Sequence, residues 1–257
     1  IYTIKCARRY AFFSKRPIIL GLYFSFLALL PTPEQAILGR CYKKSERLLR
    51  RKLKKCYFCR QTLVMELCYV DIHTHHPRTG ILSPTMAGIH PWDAAMDYTM
   101  PDLTACDIVG ETGLDFACGV NREAQERLFR EHLRAAARLD KPVVLHVVKA
   151  LEPAMRILAD YNIKGVVFHG FIGSEQQAAE ALRRGYYLSF GRRSLRSART
   201  LRALAATPLN RLFIETDDDP DTEIAELYDR VAEIKNIPPS FNTLLTSFES
   251  FIKSGQK

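Results

Sequence analysis

The sequence predicts an α/β fold: a parallel sheet, open or closed into a barrel, with helices on its outside. Three observations predict it. Seven short apolar, β-branched runs recur between residues 65 and 257, amphipathic patterns separate most of them, and most end on or near a His, Glu or Asp. A closed parallel sheet gathers the carboxyl ends of its strands on one face, where sites are assembled from several strands at once.

In chain order, the first run is Leu67–His75, which contains VDIHTH. Alternation along a strand puts Asp71, His73 and His75 on one face and Val70 and Ile72 on the other. The second run, Met86–His90, ends in a histidine, and the third, Asp107–Asp115, reads DIVGETGLD. A helix is expected over 121–139, with Leu128, Phe129, His132, Leu133 and Ala136 on one face. Pro142–Val148 carries PVVLH and Gly165–Phe171 carries GVVFH. Ser174, with Gln177 three residues on, opens a helix over 174–184, and Gly185 is placed to stop it. The runs Tyr186–Gly191 and Arg211–Asp217 follow, the latter holding LFIETD. Two stripes close the chain, Ile224–Leu227–Tyr228–Val231–Ile234 and Phe241–Leu244–Leu245–Phe248–Phe251–Ile252, each at helical spacing.

Charge divides the chain. The chain's net charge is +9, but residues 1–64 hold 15 Lys/Arg against Glu34 and Glu46 alone, a net of +13, so the rest is mildly acidic at −4. Four of the seven cysteines lie in this segment, all seven histidines lie after it, and the first methionine is Met65. Its apolar run Ile18–Leu30 is shorter than the ~20 residues that span a bilayer. Cys56 and Cys59 lack a second pair at zinc-finger spacing. The expected organisation is a basic leader over 1–64, outside the fold, and a working domain over 65–257. No stable membrane association is expected, and a cytoplasmic location is.

An H-x-H pair alone is as readily a solvated strand end as a metal clamp. Here it is joined by His90, Glu111, His146, His169 and Asp217, each near the end of a separate run. His73, His75, Glu111, His146, His169 and Asp217 offer four imidazoles and two carboxylates, a set that suits two divalent ions with one carboxylate bridging. Mg, Mn and Zn all tolerate such mixed donors.

The body also resembles the TatD family of metal-dependent hydrolases, whose known members include deoxyribonucleases. The resemblance rests on VDIHTHH, GIHPW, VGETGLDF, PVVLH, VVFHGFIGSEQQAAEALRRGYYLSFG and LFIETDDD, in family order over most of 66–219. It implies a TIM-type (β/α) barrel. It implies one ion on His73, His75 and Asp217, a second on His146 and His169, and Glu111 between them. The chain departs from the family in several places. Only 13 positions separate His75 from Gly88, where the family has a longer insert with a helix and a strand, so the barrel is expected to lack one β/α unit. Val147-Val148 stands where the family has Ser-Arg, HGFIG replaces a pattern closer to H-C-F-S-G, and ETDDD one in which proline follows the aspartate by two.

The expected function is metal-dependent hydrolysis by a metal-activated water, with DNA as the substrate. Asp217 is the candidate to orient the water and take its proton. Glu215 and Asp115 are candidates to hold an imidazole tautomer, or plain salt-bridge partners. His90 is a candidate for substrate contact or leaving-group protonation. Arg192 and Arg196, with Arg199 and Arg202, recur at helical spacing as a phosphate-binding row or a solvated helix face. Trp92 and Phe116 are candidates to stack on a base or to pack their loops. The alternatives are a hydrolase of a non-nucleic-acid ester, amide or lactone, and a metal-binding barrel without activity.

Overall fold

The structure, a computed structural model, describes residues 69–237 and 242–253. The leader expected over 1–64 lies outside the described residues. One parallel sheet runs in chain order through β1 (Met86–Ala87), β2 (Ile108–Asp115), β3 (Val143–Val148), β4 (Val166–Phe168), β5 (Tyr187–Phe190) and β6 (Leu212–Ile214). Helices α1 (Arg122–Leu139), α2 (Leu151–Leu158), α3 (Glu175–Arg183) and α4 (Ala198–Ala206) make the crossovers, and α5 (Ile224–Lys235) and α6 (Asn242–Lys253) follow β6. The expected α/β class stands. The sequence pattern does not single out α2, which contains Pro153; in the first turn a proline removes no intrahelical hydrogen bond. Helix α3 opens on the expected capping box, Ser174 with Gln177.

The first of the seven expected strands is a correction. Its described residues form no regular strand but two isolated bridges, Val70 with Leu82 and Thr74 with Asp217. Ile72 N–H also donates to Ile214 O at 3.1 Å. These contacts tie residues 70–75 to the β6 edge on one side and to the stretch leading into β1 on the other. Asp71 reinforces the join: its buried carboxylate accepts from Thr216 N–H at 3.1 Å and Thr216 Oγ1–H at 2.6 Å. Burial pushes the Asp71 pKa up to about 6, against those hydrogen bonds.

Alternation sorts the strand residues into two cores. Val143, Leu145, Val166, Phe168, Leu212 and Ile214 pack with the crossover helices. Val144, Val167 and Phe213 pack instead with Val70, Ile72, Ile108 and the α6 residues Phe248 and Phe251. His146, His169 and Glu215 lie two residues beyond members of this second, inner core, so period-2 geometry sends them to the same side. The small apolar core is the floor on which the polar site rests.

Strand β2 breaks the alternation where it matters. Val109 pairs with Val143 but Thr112 with Leu145, so β2 carries one extra residue. Val109 and Leu114, five apart, consequently share the outer core. A bulge of this kind re-aims the side chains after it. Gly110 and Gly113 flank Glu111 with φ of +153° and +143°, and a Cβ on Gly113 would lie 2.0 Å from His146 O. Gly113→Ala would strain the backbone and force β2 from β3. A loss of about 3 kcal/mol or more is expected, equivalent to about 6–12 °C in melting temperature. An unchanged melting temperature would contradict this packing.

Candidate metal centre

Five imidazoles converge on one carboxylate. Glu111 Oε1 lies 2.6 Å from His169 Nε2, 2.9 Å from His146 Nδ1 and 3.4 Å from His90 Nε2. Its Oε2 lies 3.2 Å from His73 Nε2 and 3.7 Å from His75 Nε2. Asp217 Oδ1 is 3.5 Å from His73 Nε2. The six residues read as ligands from the sequence are thus brought together, and His90 joins them.

Each arrives by a local cause. His146 and His169 follow the inner-face parity of β3 and β4, and Glu111 is turned inward by the bulge. His73 does not follow alternation. Val70 and Ile72 belong to the inner core, so a regular strand would face His73 away from it; the backbone bends at Ile72–His73 instead. Asp217 adopts the left-handed region (φ +58°), which aspartate tolerates better than most residues. Its N–H donates to His73 O and its carbonyl accepts from His75 N–H, both at 3.0 Å. The aspartate and the H-x-H motif are therefore pinned together through their main chains.

The donor set fits a divalent cation. His73, His75 and Asp217 can each bring a ligand atom within 4.8 Å of the others, and so can His90–Glu111–His146, His73–Glu111–His169 and His169–Glu215–Asp217. Both ring nitrogens of His73 are buried and neither makes a well-formed hydrogen bond, although Nε2 has the Glu111 carboxylate 3.2 Å away. Such orphaned atoms are costly unless something ligates them. The outer nitrogens of two imidazoles are held as metal ligands require. His146 Nε2 sits 3.2 Å from Asp115 Oδ2, and His169 Nδ1 sits 3.4 Å from Glu215 Oε1, whose other oxygen accepts from Ser189 Oγ–H.

The electrostatics point the same way. Burial alone would raise Glu111, but His146, His169, His73 and His90 hold its carboxyl far below the usual range. Burial likewise opposes protonation of His73, yet Asp217 and Glu111 raise it to about 9. His169 is raised as well, against its burial, by Glu215 and Glu111. A metal ion needs neutral imidazole, so it must displace protons from these rings. Affinity is therefore expected to rise with pH toward 9, and an acid limb of activity to move to lower pH as metal concentration increases. Calorimetric titration at pH 7.5 in buffers of different ionisation enthalpy should show net proton release on metal binding. Zero release would contradict these ring assignments.

The site opens into a cleft of about 1000 Å³, lined in part by His90, Trp92, Val147, Val148, Ile172, Arg192 and Arg193. Arg192 stands at its edge, bound to Asp219 Oδ2 at 3.0 Å. Thr222 and Arg192 hold Asp219 down at about 2. The expected arginine row is a correction. Arg192 lies in a turn, Arg196 in a 3-10 turn (Ser194–Arg196) and Arg199 and Arg202 in α4, so they share no single helix, and Arg196 does not line the cleft. The Arg122 guanidinium lies over Phe116, its Cζ 4.4 Å from the ring centroid, whereas Trp92 is 56% exposed. His132, read only as part of a helix face, is a satisfied buried histidine with a positioning role. Its Nδ1 is 2.9 Å from Leu128 O, and its Nε2 accepts from Ile89 N–H at 3.0 Å, fixing the residue before His90. Two buried histidine nitrogens on one helix carry no sequence signal for that loop contact.

Comparisons with known proteins agree with this geometry. The TatD related DNase profile matches residues 70–245. The chain is 39% identical over 153 residues to an uncharacterized metal-dependent hydrolase of Buchnera aphidicola, covering 51% of this chain and 56% of that protein. It is 38% identical over 152 residues to the 3'-5' ssDNA/RNA exonuclease TatD of Cronobacter sakazakii, covering 51% and 55%. The chain thus spans little more than half the length of these relatives. The fold is similar to that of the TatD homolog YJJV from Escherichia coli, with a TM-score of 0.61 and 21% identity over 71% of this chain and 97% of that one. A TatD family hydrolase of Entamoeba histolytica gives 0.58 and 18%, over 68% and 75%. With the profile covering most of the chain and the metal-type donors converging as described, this protein belongs to the TatD-related DNase family.

Proposed function

We propose that this chain is a divalent-metal-dependent phosphodiesterase acting on nucleic acid, most simply a deoxyribonuclease. The observation that carries the reading is Glu111, with five imidazole nitrogens within 3.7 Å of its two oxygens. Two ions fit the donors: His73, His75 and Asp217 would hold one, His146 and His169 the other, and Glu111 would serve both. His90 is as well placed as a further ligand as for substrate contact. When bound, divalent ions lower the pKa of a water from ~15.7 toward ~7 and polarise a phosphoryl oxygen.

The chain's own residues do the rest. Asp217 keeps its carboxyl ionised: burial opposes this, and His73 and His169 overcome it. It is therefore unprotonated at neutral pH and able to accept a proton from a water that bound metal would have made more acidic. Asp115 and Glu215 fix the rings of His146 and His169, so that each offers its other nitrogen toward Glu111. The buried inner core beneath the cluster keeps bulk water from the ligands' far side. Arg192 and Arg193 stand at the cleft for a phosphate.

Val147 and Val148 give the cleft an apolar stretch next to His146, which favours a smaller, less charged ester as the second reading. The test is a metal-titrated screen with Mg²⁺, Mn²⁺ and Zn²⁺ against single- and double-stranded DNA, RNA and small esters. The proposed reading requires metal-dependent cleavage of a nucleic acid. Cleavage of small esters alone supports the second reading, and metal binding with no hydrolysis supports a barrel without activity. All six proposed ligands lie between residues 73 and 217, so removal of residues 1–64 is expected to leave the metal-dependent rate unchanged.

A further inference from the structure

We infer that Trp92 is a platform for stacking a nucleobase beside the metal centre, an inference that rests on the nucleic-acid reading above. Trp92 is 56% exposed although it is the largest side chain lining the cleft. Exposure alone is ordinary for a surface residue. What sets Trp92 apart is that it is exposed and fixed. Its Nε1–H donates to Asp115 Oδ2 at 2.7 Å, and its backbone N–H donates to His90 Nδ1 at 3.3 Å. It sits in the 3-10 turn Pro91–Asp93, whose Pro91 is buried.

A ring held this way loses little freedom when a ligand lands on it, which is the economy of a preorganised contact. Its neighbours leave it without a parallel partner. The His90 and His146 rings meet it at 78° and 76°, with centroids 4.5 and 5.8 Å away, and no described ring stacks flat on it. The same Asp115 oxygen that anchors the indole also faces His146 Nε2 at 3.2 Å. One carboxylate thus sets the position of the platform and of a candidate ligand. A planar, uncharged heteroaromatic whose sugar carries the phosphate would suit this pairing of an aromatic face with a cationic centre. Phe116, the other aromatic candidate, is already covered by Arg122.

Trp92 is the only tryptophan of the chain, so its emission reports on its own face. Metal-loaded full-length protein should be titrated with dAMP, with 2-deoxyribose 5-phosphate, and with a short oligothymidylate carrying cleavage-resistant phosphorothioate linkages. dAMP and the oligonucleotide are expected to quench the emission saturably, and the sugar phosphate to bind without quenching. A tighter oligonucleotide identifies a nucleic-acid chain as the source of the base, a tighter dAMP a free nucleotide; either supports the platform. By calorimetry, Trp92→Leu should weaken dAMP by about 5- to 150-fold, down to the affinity of the sugar phosphate. Trp92→Phe, which keeps a flat ring, should retain most of the preference. A purely structural role would weaken both ligands together. Equal binding of dAMP and sugar phosphate by the wild-type chain, or an unchanged preference in Trp92→Leu, overturns the platform alone. No saturable binding of any probe overturns the platform and the nucleic-acid reading together.

Discussion

Glu111→Ala is expected to abolish hydrolysis and to reduce bound metal by more than one ion per chain. No other carboxylate in the site stands within 3.7 Å of five imidazole nitrogens, so its loss removes the charge common to both proposed ions. Metal ions supply several kcal/mol of charge stabilisation in hydrolysis, so turnover should fall by at least about 10³-fold. The same change leaves His73 with Asp217 and His169 with Glu215 but removes the second carboxylate that raises each, so both should titrate lower in the variant. Glu111→Gln keeps the shape and separates loss of charge from loss of packing. Elemental analysis beside single-turnover rates checks both variants; a Glu111→Ala protein with a full metal complement would contradict the assignment.

Asp217→Asn should behave differently, with turnover down by about 10²–10⁴-fold and most of the metal retained. The substitution spares the architecture. The hydrogen bonds of residue 217 to His73 and His75 run through its main chain, and asparagine tolerates a φ of +58° as readily as aspartate. What changes is the charge and the ability to accept a proton. If the carboxylate only braces residues 216–220, the variant will lose stability while turnover per folded molecule stays intact. Rates at saturating metal, corrected for folded protein by circular dichroism, separate these outcomes.

The sequence shows the candidate ligands more clearly than the geometry that brings them together. PVVLH and GVVFH are readable because a histidine two residues beyond an inward valine must share its face, and the structure keeps that parity. Glu111 is readable as a residue type but not as an inward one, since the extra residue in β2 is a backbone event that alternation cannot predict. His73 reaches the site through a bend rather than through the regular strand expected for residues 67–75. The arginines at 192, 196, 199 and 202 keep helical spacing across a turn, a 3-10 turn and a helix, so spacing alone joined residues that the chain separates. His132 and Ile89 lie 43 residues apart, and their hydrogen bond depends on how α1 packs beside the loop that follows β1.

In the proposed reading, Glu111, Asp217 and the imidazoles around them form a metal centre that drives hydrolysis. The most direct measurement strips the full chain with a chelator, returns Mn²⁺ in steps, and records bound metal and cleavage of single-stranded DNA on the same samples. Expected are no cleavage in the stripped protein, a plateau of two ions per chain, and a rate that appears as the second ion binds. Cleavage that survives stripping, or a plateau of two ions with no hydrolysis of DNA, RNA or any ester in the screen, would contradict that reading.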